Sequence, residues 1–157
     1  MSIKDFHFMK IALKEAINAF KINEVPIGAV ITYNNIVIAK THNLTETLNN
    51  ITAHAEILAI KKASSFLNKK YIKKCTIYVT LEPCIMCAGA LYLSKIGKIV
   101  CGAPNNNSKG FLYYGIKLHP DTIYISGILK NQCKFLIQDF FFFKRINKKY
   151  NHNIFSY

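Results

Sequence analysis

Apolar positions recur along the chain with two different periods, and these periods predict four helices and five strands. Four segments repeat apolar residues every three or four positions, which is the spacing of one helix face. Five shorter runs rich in apolar and β-branched residues are typical of strands. The predicted elements are, in chain order, a helix over 4–20, strands over 26–32 and 36–40, a helix over 53–66, a strand over 75–80, a helix over 84–94, strands over 98–101 and 122–126, and a helix over 130–148.

The order of these elements predicts an α/β domain built on a five-stranded mixed sheet with helices on both faces. Asn34-Asn35 separates the first two strands and favours an antiparallel hairpin, because Asn tolerates positive φ. Helices between the later strands favour right-handed parallel crossovers. No internal repeat, linker or low-complexity segment interrupts the pattern, so residues 1–157 are expected to form one domain.

Length and composition narrow the class of protein. The 157 residues are 51% apolar and 18% charged, which suits one hydrophobic core. No uninterrupted apolar run reaches about 18 residues, so no membrane-spanning helix is expected. Residues 1–20 carry a charge or Asn in nearly every turn, unlike a secretory signal, and a cytoplasmic protein is therefore expected. The five cysteines, an odd number, favour reduced thiols or a metal site over a disulfide framework.

The net charge of +13 indicates a polyanionic partner, most simply nucleic acid. A second explanation is compositional. Arg145 is the sole arginine among the 21 basic residues, Lys, Asn and Ile are abundant, and Trp is absent. An AT-rich genome would produce this amino-acid bias in any of its proteins, so charge alone leaves both explanations open.

Two short motifs begin the two central predicted helices: His54-Ala55-Glu56 and Pro83-Cys84-Ile85-Met86-Cys87. The two sulfurs are three positions apart and fall on one helix face. Two thiolates and an imidazole are three of the four ligands of a tetrahedral zinc site, and the open fourth position is typical of catalytic zinc holding a water. Glu56 is placed to take a proton from that water rather than to bind the metal.

Each motif alone has an ordinary explanation. An H-x-E triplet is common by chance, and a C-x-x-C pair can be redox-active or structural. Pro83 precedes the first cysteine instead of lying between the two, which argues against a thioredoxin-type site. Both motifs together, each at a helix start and separated by one strand, favour a metal-dependent enzyme.

The joint signature resembles that of the zinc-dependent nucleobase deaminases. Longer strings are similar to the bacterial tRNA-specific adenosine deaminase branch of that superfamily, and the similarity runs from about residue 6 to 149. These strings are EVPIGAV over 24–30, TAHAEI over 52–57, LEPCIMCAGA over 81–90, and DFF over 139–141 followed by Lys144-Arg145. The chain departs from the branch at Asn50-Ile51, where Asp-Pro is common, and at asparagines 105–107, where an acidic residue is usual.

The resemblance implies a three-layer cytidine-deaminase-like fold with one zinc ion per subunit, bound by His54, Cys84 and Cys87, and Glu56 as general acid/base. It implies that a zinc-bound hydroxide attacks C6 of the wobble adenosine in a tRNA anticodon, most simply of an arginine tRNA, and yields inosine. It also implies a homodimer, which we expect to form through the helix over 84–94. The residues expected at the substrate are Val25, Pro26, Asn43, Ala55 and Asn105, and those expected at the anticodon stem-loop are Lys144, Arg145 and Lys148.

Two other functions stay open at this point. A deaminase of a free nucleobase or nucleoside, such as cytosine or guanine, would need no basic C-terminal segment. A non-catalytic zinc or RNA-binding relative would be expected to have lost Glu56, which is present. The phenylalanines over 140–143 also allow two interpretations, stacking against RNA bases or the core face of a terminal helix.

Overall fold

The computed structural model describes residues 2–105 and 110–154, with 148–154 given by their backbone alone. Within these ranges the predicted order of helices and strands is confirmed. The elements are α1 (Ile3–Lys21), β1 (Gly28–Tyr33), β2 (Ile36–His42), α2 (Ala55–Leu67), β3 (Cys75–Leu81), α3 (Ile85–Ser94), β4 (Lys98–Ala103), β5 (Ile123–Ser126) and α4 (Lys130–Ile154).

The five strands form one mixed sheet in the order β2-β1-β3-β4-β5. β1 pairs antiparallel with both β2 and β3, whereas β3, β4 and β5 run parallel. The predicted hairpin is confirmed: Asn34 and Asn35 both adopt positive φ, at 51° and 62°. The first strand begins at Gly28 rather than at Pro26, because proline has no N–H to donate to a strand partner.

Helices cover both faces of this sheet, as predicted. α1 and α4 pack on one face and α2 and α3 on the other. Side chains alternate along β3, so that Ile77 and Val79 face α2 and α3 while Tyr78 faces α1. No helix in the described ranges combines the length and the apolar character needed to cross a bilayer.

Gly28 sets how closely α1 approaches the sheet. A Cβ at this position would collide with the backbone of α1 at Ala12 and Ala16, so a larger residue would push the helix away. The Gly28 N–H also donates to Thr80 Oγ1 on β3 at 3.1 Å. The glycine of the EVPIGAV string therefore allows α1 to pack closely against the sheet.

A buried polar cluster joins α1 to the sheet. The Asp5 carboxylate accepts hydrogen bonds from Tyr78 Oη at 3.1 Å and from Lys98 Nζ at 2.8 Å. Burial alone would raise the pKa of Asp5, but hydrogen bonds from Lys98 and Ser2 outweigh burial and lower that pKa below its usual value. Asp5 is thus ionised near neutral pH and holds α1, β3 and β4 together.

Asparagine occupies most of the left-handed backbone positions. Seven non-glycine residues in the described ranges have positive φ, and five of them are Asn. They lie at chain reversals and helix ends: Asn23, Asn34, Asn35, Asn49 and Asn68. Asn is among the few residues that visit this region readily, because its short amide can hydrogen-bond to nearby backbone.

Candidate active site

Two helix N-termini bring the predicted metal ligands together. His54 is the N-cap of α2 and Cys84 is the N-cap of α3, and Cys87 lies in the first turn of α3. Neither cap side chain makes the capping hydrogen bond to its own helix that Ser or Asp would make at this position. Both are therefore available to face each other across the helix starts, where the two positive dipole ends favour thiolate.

The three side chains have the geometry of a metal centre. His54 Nδ1 lies 3.7 Å from Cys84 Sγ and 3.5 Å from Cys87 Sγ, and all three ligand atoms lie within 4.8 Å of one another. In a tetrahedral zinc site, nitrogen at about 2.0 Å and sulfur at about 2.3 Å from the metal are about 3.5 Å apart. Distances and donor types both fit one zinc ion.

Without a metal, the two thiols differ in acidity because one hydrogen bond joins them. A hydrogen bond with Cys87 lowers the pKa of Cys84 to about 4, and the same hydrogen bond raises the pKa of Cys87. Hydrogen bonding to Cys84 raises the pKa of His54. Cys84 is therefore ready to bind a cation as thiolate, and metal binding would release the proton that Cys87 retains.

Glu56 lies in the first turn of α2 and is not part of the ligand group. Its side chain is 3% exposed, and Oε2 has no hydrogen-bond partner in the described part of the chain. Burial raises the pKa of Glu56 to about 7. A buried carboxyl oxygen without a partner is uncommon, and a pKa near neutrality suits a group that both takes and gives a proton.

A cavity of about 510 Å³ opens onto this group. Of the residues predicted from sequence, its lining includes Val25, Asn43, His54, Glu56, Cys84 and Asn105. Pro26 and Ala55 are buried and do not line it. Ala55 contributes through its backbone instead, because its N–H donates to Asn43 Oδ1 at 2.9 Å and so fixes the start of α2.

Comparison with known proteins agrees with this geometry. The profile of the MafB19-like deaminase family matches residues 3–156. The tRNA-specific adenosine deaminase of Bacillus subtilis (strain 168) is 41% identical over 151 residues, covering 93% of this chain and 94% of that relative. The chain belongs to the tRNA-specific adenosine deaminase family.

Two further matches support the assignment. The tRNA-specific adenosine deaminase of Aquifex aeolicus (strain VF5) is 51% identical over 104 residues, covering 66% of this chain and 69% of that relative. A solved structure from a study of A-to-I editing by tRNA:A34 deaminases is 36% identical with a TM-score of 0.77, covering 83% of this chain and 98% of that chain. The predicted cytidine-deaminase-like fold is therefore confirmed.

Two buried carboxylates of this deaminase hold the loops around the cavity. Glu24 accepts from Thr47 N and, at 3.2 Å, from Thr45 Oγ1, in the loop before α2. Glu82 accepts from Asn105 N at 3.1 Å and from Leu112 N at 3.0 Å, in the loop after β4. Both glutamates stand in the strings that resemble the family, but nothing in those strings shows which loop each one binds.

One wall of the cavity was not predicted from the sequence. α4 contributes five lining residues, Lys130, Lys134, Ile137, Gln138 and Phe141. They recur at three- and four-residue steps, which marks one face of a helix. The spacing does not predict which way this face points. The orientation of α4 depends on how the helix packs against β4.

Two of the three nucleic-acid-binding residues predicted on α4 have described side chains, and neither of these lines the cavity. Lys144 and Arg145 are exposed and do not line it, and the side chain of Lys148 lies outside the described residues. The structure supports the core interpretation for Phe140, and stacking of the other three phenylalanines against RNA bases stays a prediction. Phe140 is buried and packs edge-on against Phe20 at 5.6 Å, whereas those at 141–143 are exposed.

Proposed function

We propose that this deaminase converts the wobble adenosine of a tRNA anticodon, most simply that of an arginine tRNA, to inosine. The observation that carries the proposal is the buried Glu56 carboxyl, whose Oε2 has no hydrogen-bond partner among the described residues, beside the His54, Cys84 and Cys87 group. The cavity above it lies within the size range of small-ligand sites and can admit a purine. The names of the relatives support tRNA as the carrier of that purine.

The chemistry is a hydrolysis in which water replaces the amine at C6 of adenine. His54, Cys84 and Cys87 would hold the zinc ion, which would supply Lewis-acid activation of the water. Glu56 carries a proton from the attacking water to N1 as the C–O bond forms. It then moves the proton of the new hydroxyl to the amine, which leaves as ammonia and leaves inosine with a C6 carbonyl. One carboxyl performs both transfers, and burial, which raises its pKa above the usual value of Glu, favours its holding the proton between them.

Side chains around the cavity would orient the nucleoside. Asn43 and Asn105 line the cavity wall and would face the polar edge of the nucleoside, and Val25 offers an apolar contact to the base. Ala55 would act through its backbone N–H, which orients Asn43, and Pro26 would act through its place in the chain next to Val25. Outside the cavity, Lys144, Arg145 and Lys148 would contact phosphates of the anticodon stem-loop, next to exposed aromatic rings that can stack on loop bases.

The proposed assembly is a homodimer formed through α3. This helix leaves apolar side chains uncovered, with Ile85 at 45%, Met86 at 36% and Leu93 at 72% exposure. A Cβ added at Gly89 on the same helix would meet no atom within 4 Å, which leaves space for close approach of a second backbone. Light scattering should give the mass of a dimer for the wild type and of a monomer for Leu93→Glu; a wild-type monomer at micromolar concentration would contradict the proposal.

The decisive experiment incubates the zinc-loaded protein with tRNA transcripts and sequences them for conversion of adenosine to inosine. A transcript with guanosine at the wobble position is the control for site selectivity, and Glu56→Gln is the control for the enzyme. Conversion at the wobble adenosine alone is the expected result. Turnover of free cytosine or guanine without reaction on tRNA would favour the small-molecule alternative.

The cytoplasmic location expected from the sequence stays a prediction.

A further inference from the structure

We propose that Lys130 and Lys134 bind backbone phosphates beside the target adenosine and thereby select a polynucleotide over a free nucleobase. This inference rests on the proposed function and extends it to residues that the sequence motifs do not include. Both lysines lie in the first two turns of α4 and line the same cavity as Glu56 and Cys84. Four positions separate them, so their side chains project from one helix face.

Neither ammonium group forms an ion pair or a hydrogen bond with the described residues. Both lysines are exposed, and the ion pairs of the described residues involve other groups, namely His42 with Glu15, Lys98 with Asp5, and His119 with Asp121. No hydrogen bond within the described chain engages either Nζ. The two charges therefore remain available to a ligand that enters the cavity.

The carboxylates of the cavity do not neutralise these charges. Among the lining residues, only Glu56 and Glu82 are acidic. Glu56 is buried beside the metal ligands, and Glu82 is engaged by the backbone N–H groups of Asn105 and Leu112. The wall formed by α4 thus presents two positive charges, and none of the α4 residues described at this cavity is acidic.

Phosphate is the chemistry that this wall fits. A nucleobase is uncharged at neutral pH and gains little from an ammonium group, whereas each nucleotide flanking the target carries a phosphate anion, to which Lys donates charge-assisted hydrogen bonds. Phe141 lies about two turns further along α4 and lines both this cavity and a neighbouring one of about 440 Å³. An aromatic ring at that point could stack on a flanking base while the lysines hold the backbone.

The test compares three variants on an anticodon stem-loop RNA. Lys130→Ala/Lys134→Ala removes the two charges, and Lys130→Arg/Lys134→Arg retains them. Lys10→Ala/Lys14→Ala is the matched control, because these lysines are also exposed and four positions apart but lie on α1, away from the cavity. Zinc content and thermal midpoint are measured for each, followed by Kd from fluorescence anisotropy at several salt concentrations and kcat at saturating RNA.

The expected result is a change in binding with little change in kcat. Each phosphate contact to a single strand contributes about 0.7 to the slope of log K against log salt, so the alanine variant should lose about 1.4 of that slope. On the same basis its Kd at about 0.1 M salt should rise on the order of 25-fold. The arginine variant should bind nearly as the wild type does, and Lys10→Ala/Lys14→Ala should leave Kd unchanged.

Three outcomes would overturn the inference. An unchanged salt slope in Lys130→Ala/Lys134→Ala would show that the lysines make no phosphate contact, and an equal loss in Lys10→Ala/Lys14→Ala would show a general charge effect. In both cases deamination of the RNA by the wild type would leave the proposed function standing. A wild-type protein that fails to deaminate the RNA would instead overturn both proposals.

Discussion

Glu82 is expected to control the order of the loop after β4, and Glu82→Gln tests this directly. The carboxylate accepts the N–H groups of Asn105 and Leu112 at 3.1 and 3.0 Å, and it is buried. The amide of Gln has the same shape but only one acceptor oxygen. One of the two N–H groups would then face the amide NH₂ and lose its acceptor.

The size of the effect follows from the charge of the acceptor. A hydrogen bond to a charged group contributes about 1.5–3 kcal/mol, and the variant loses one such bond. Since 1.4 kcal/mol is a factor of ten in an equilibrium, the loop should open roughly 10- to 100-fold more often. Gly110 lets the loop pass this close, because a Cβ there would collide with the carboxyl of Glu82.

Amide hydrogen exchange measures this opening at each residue. In Glu82→Gln the exchange of the Asn105 and Leu112 amides should accelerate by that factor, with zinc content unchanged. Asp121→Asn is the matched control, because it also neutralises a carboxylate but its side chain is 82% exposed. If exchange at both amides is the same in Glu82→Gln as in the wild type, the carboxylate does not hold the loop and the reasoning is refuted.

Three further predictions concern the metal centre and the stability of the fold. Glu56→Gln should retain zinc, because Glu56 is not a ligand, and lose about 10²-fold or more in kcat; an active variant would refute its role in proton transfer. Cys87→Ala should lose zinc by metal analysis and unfold at lower temperature, whereas Cys75→Ala, a buried thiol outside the ligand group, should keep its metal. The lowered pKa of Asp5 contributes stability above about pH 4 that is lost as pH falls through the folded-state pKa, so urea midpoints of the wild type should fall more steeply on acidification than those of Asp5→Asn. Equal slopes in that titration would contradict the assignment to Asp5.

The features that the sequence predicted well are those determined by local geometry. The ligand motifs predicted helix starts, and the structure has His54 and Cys84 as the N-caps of α2 and α3. The hairpin followed from Asn34-Asn35, because the backbone preference of these two residues acts within the turn itself. Periodicity likewise predicted the helices, because the apolar residues that form one helix face recur within a single segment of the chain.

The features that the sequence did not predict depend on contacts between distant segments. Lys130 and Lys134 reach the cavity because α4 packs beside β4, and no spacing within α4 indicates that neighbour. Phe140 differs from the exposed ring of Phe142 for the same reason, since Phe140 lies on the side of α4 that meets Phe20 of α1. Glu82 belongs to the LEPCIMCAGA string that resembles the family. Its hydrogen-bond partners could not be predicted, because they lie in a loop more than twenty positions later in the chain.

The left-handed asparagines change the entropy of the unfolded chain. The chain has 7 glycines, and Asn fills most of the positive-φ turns in the described ranges that Gly would otherwise occupy. Gly gives the unfolded chain more freedom than any other residue, and a side chain that fits the native φ reduces this freedom by about 0.4–1 kcal/mol per position. An Asn-rich composition can thus favour folding without any added contact in the native state, through turns that have fewer conformations to lose.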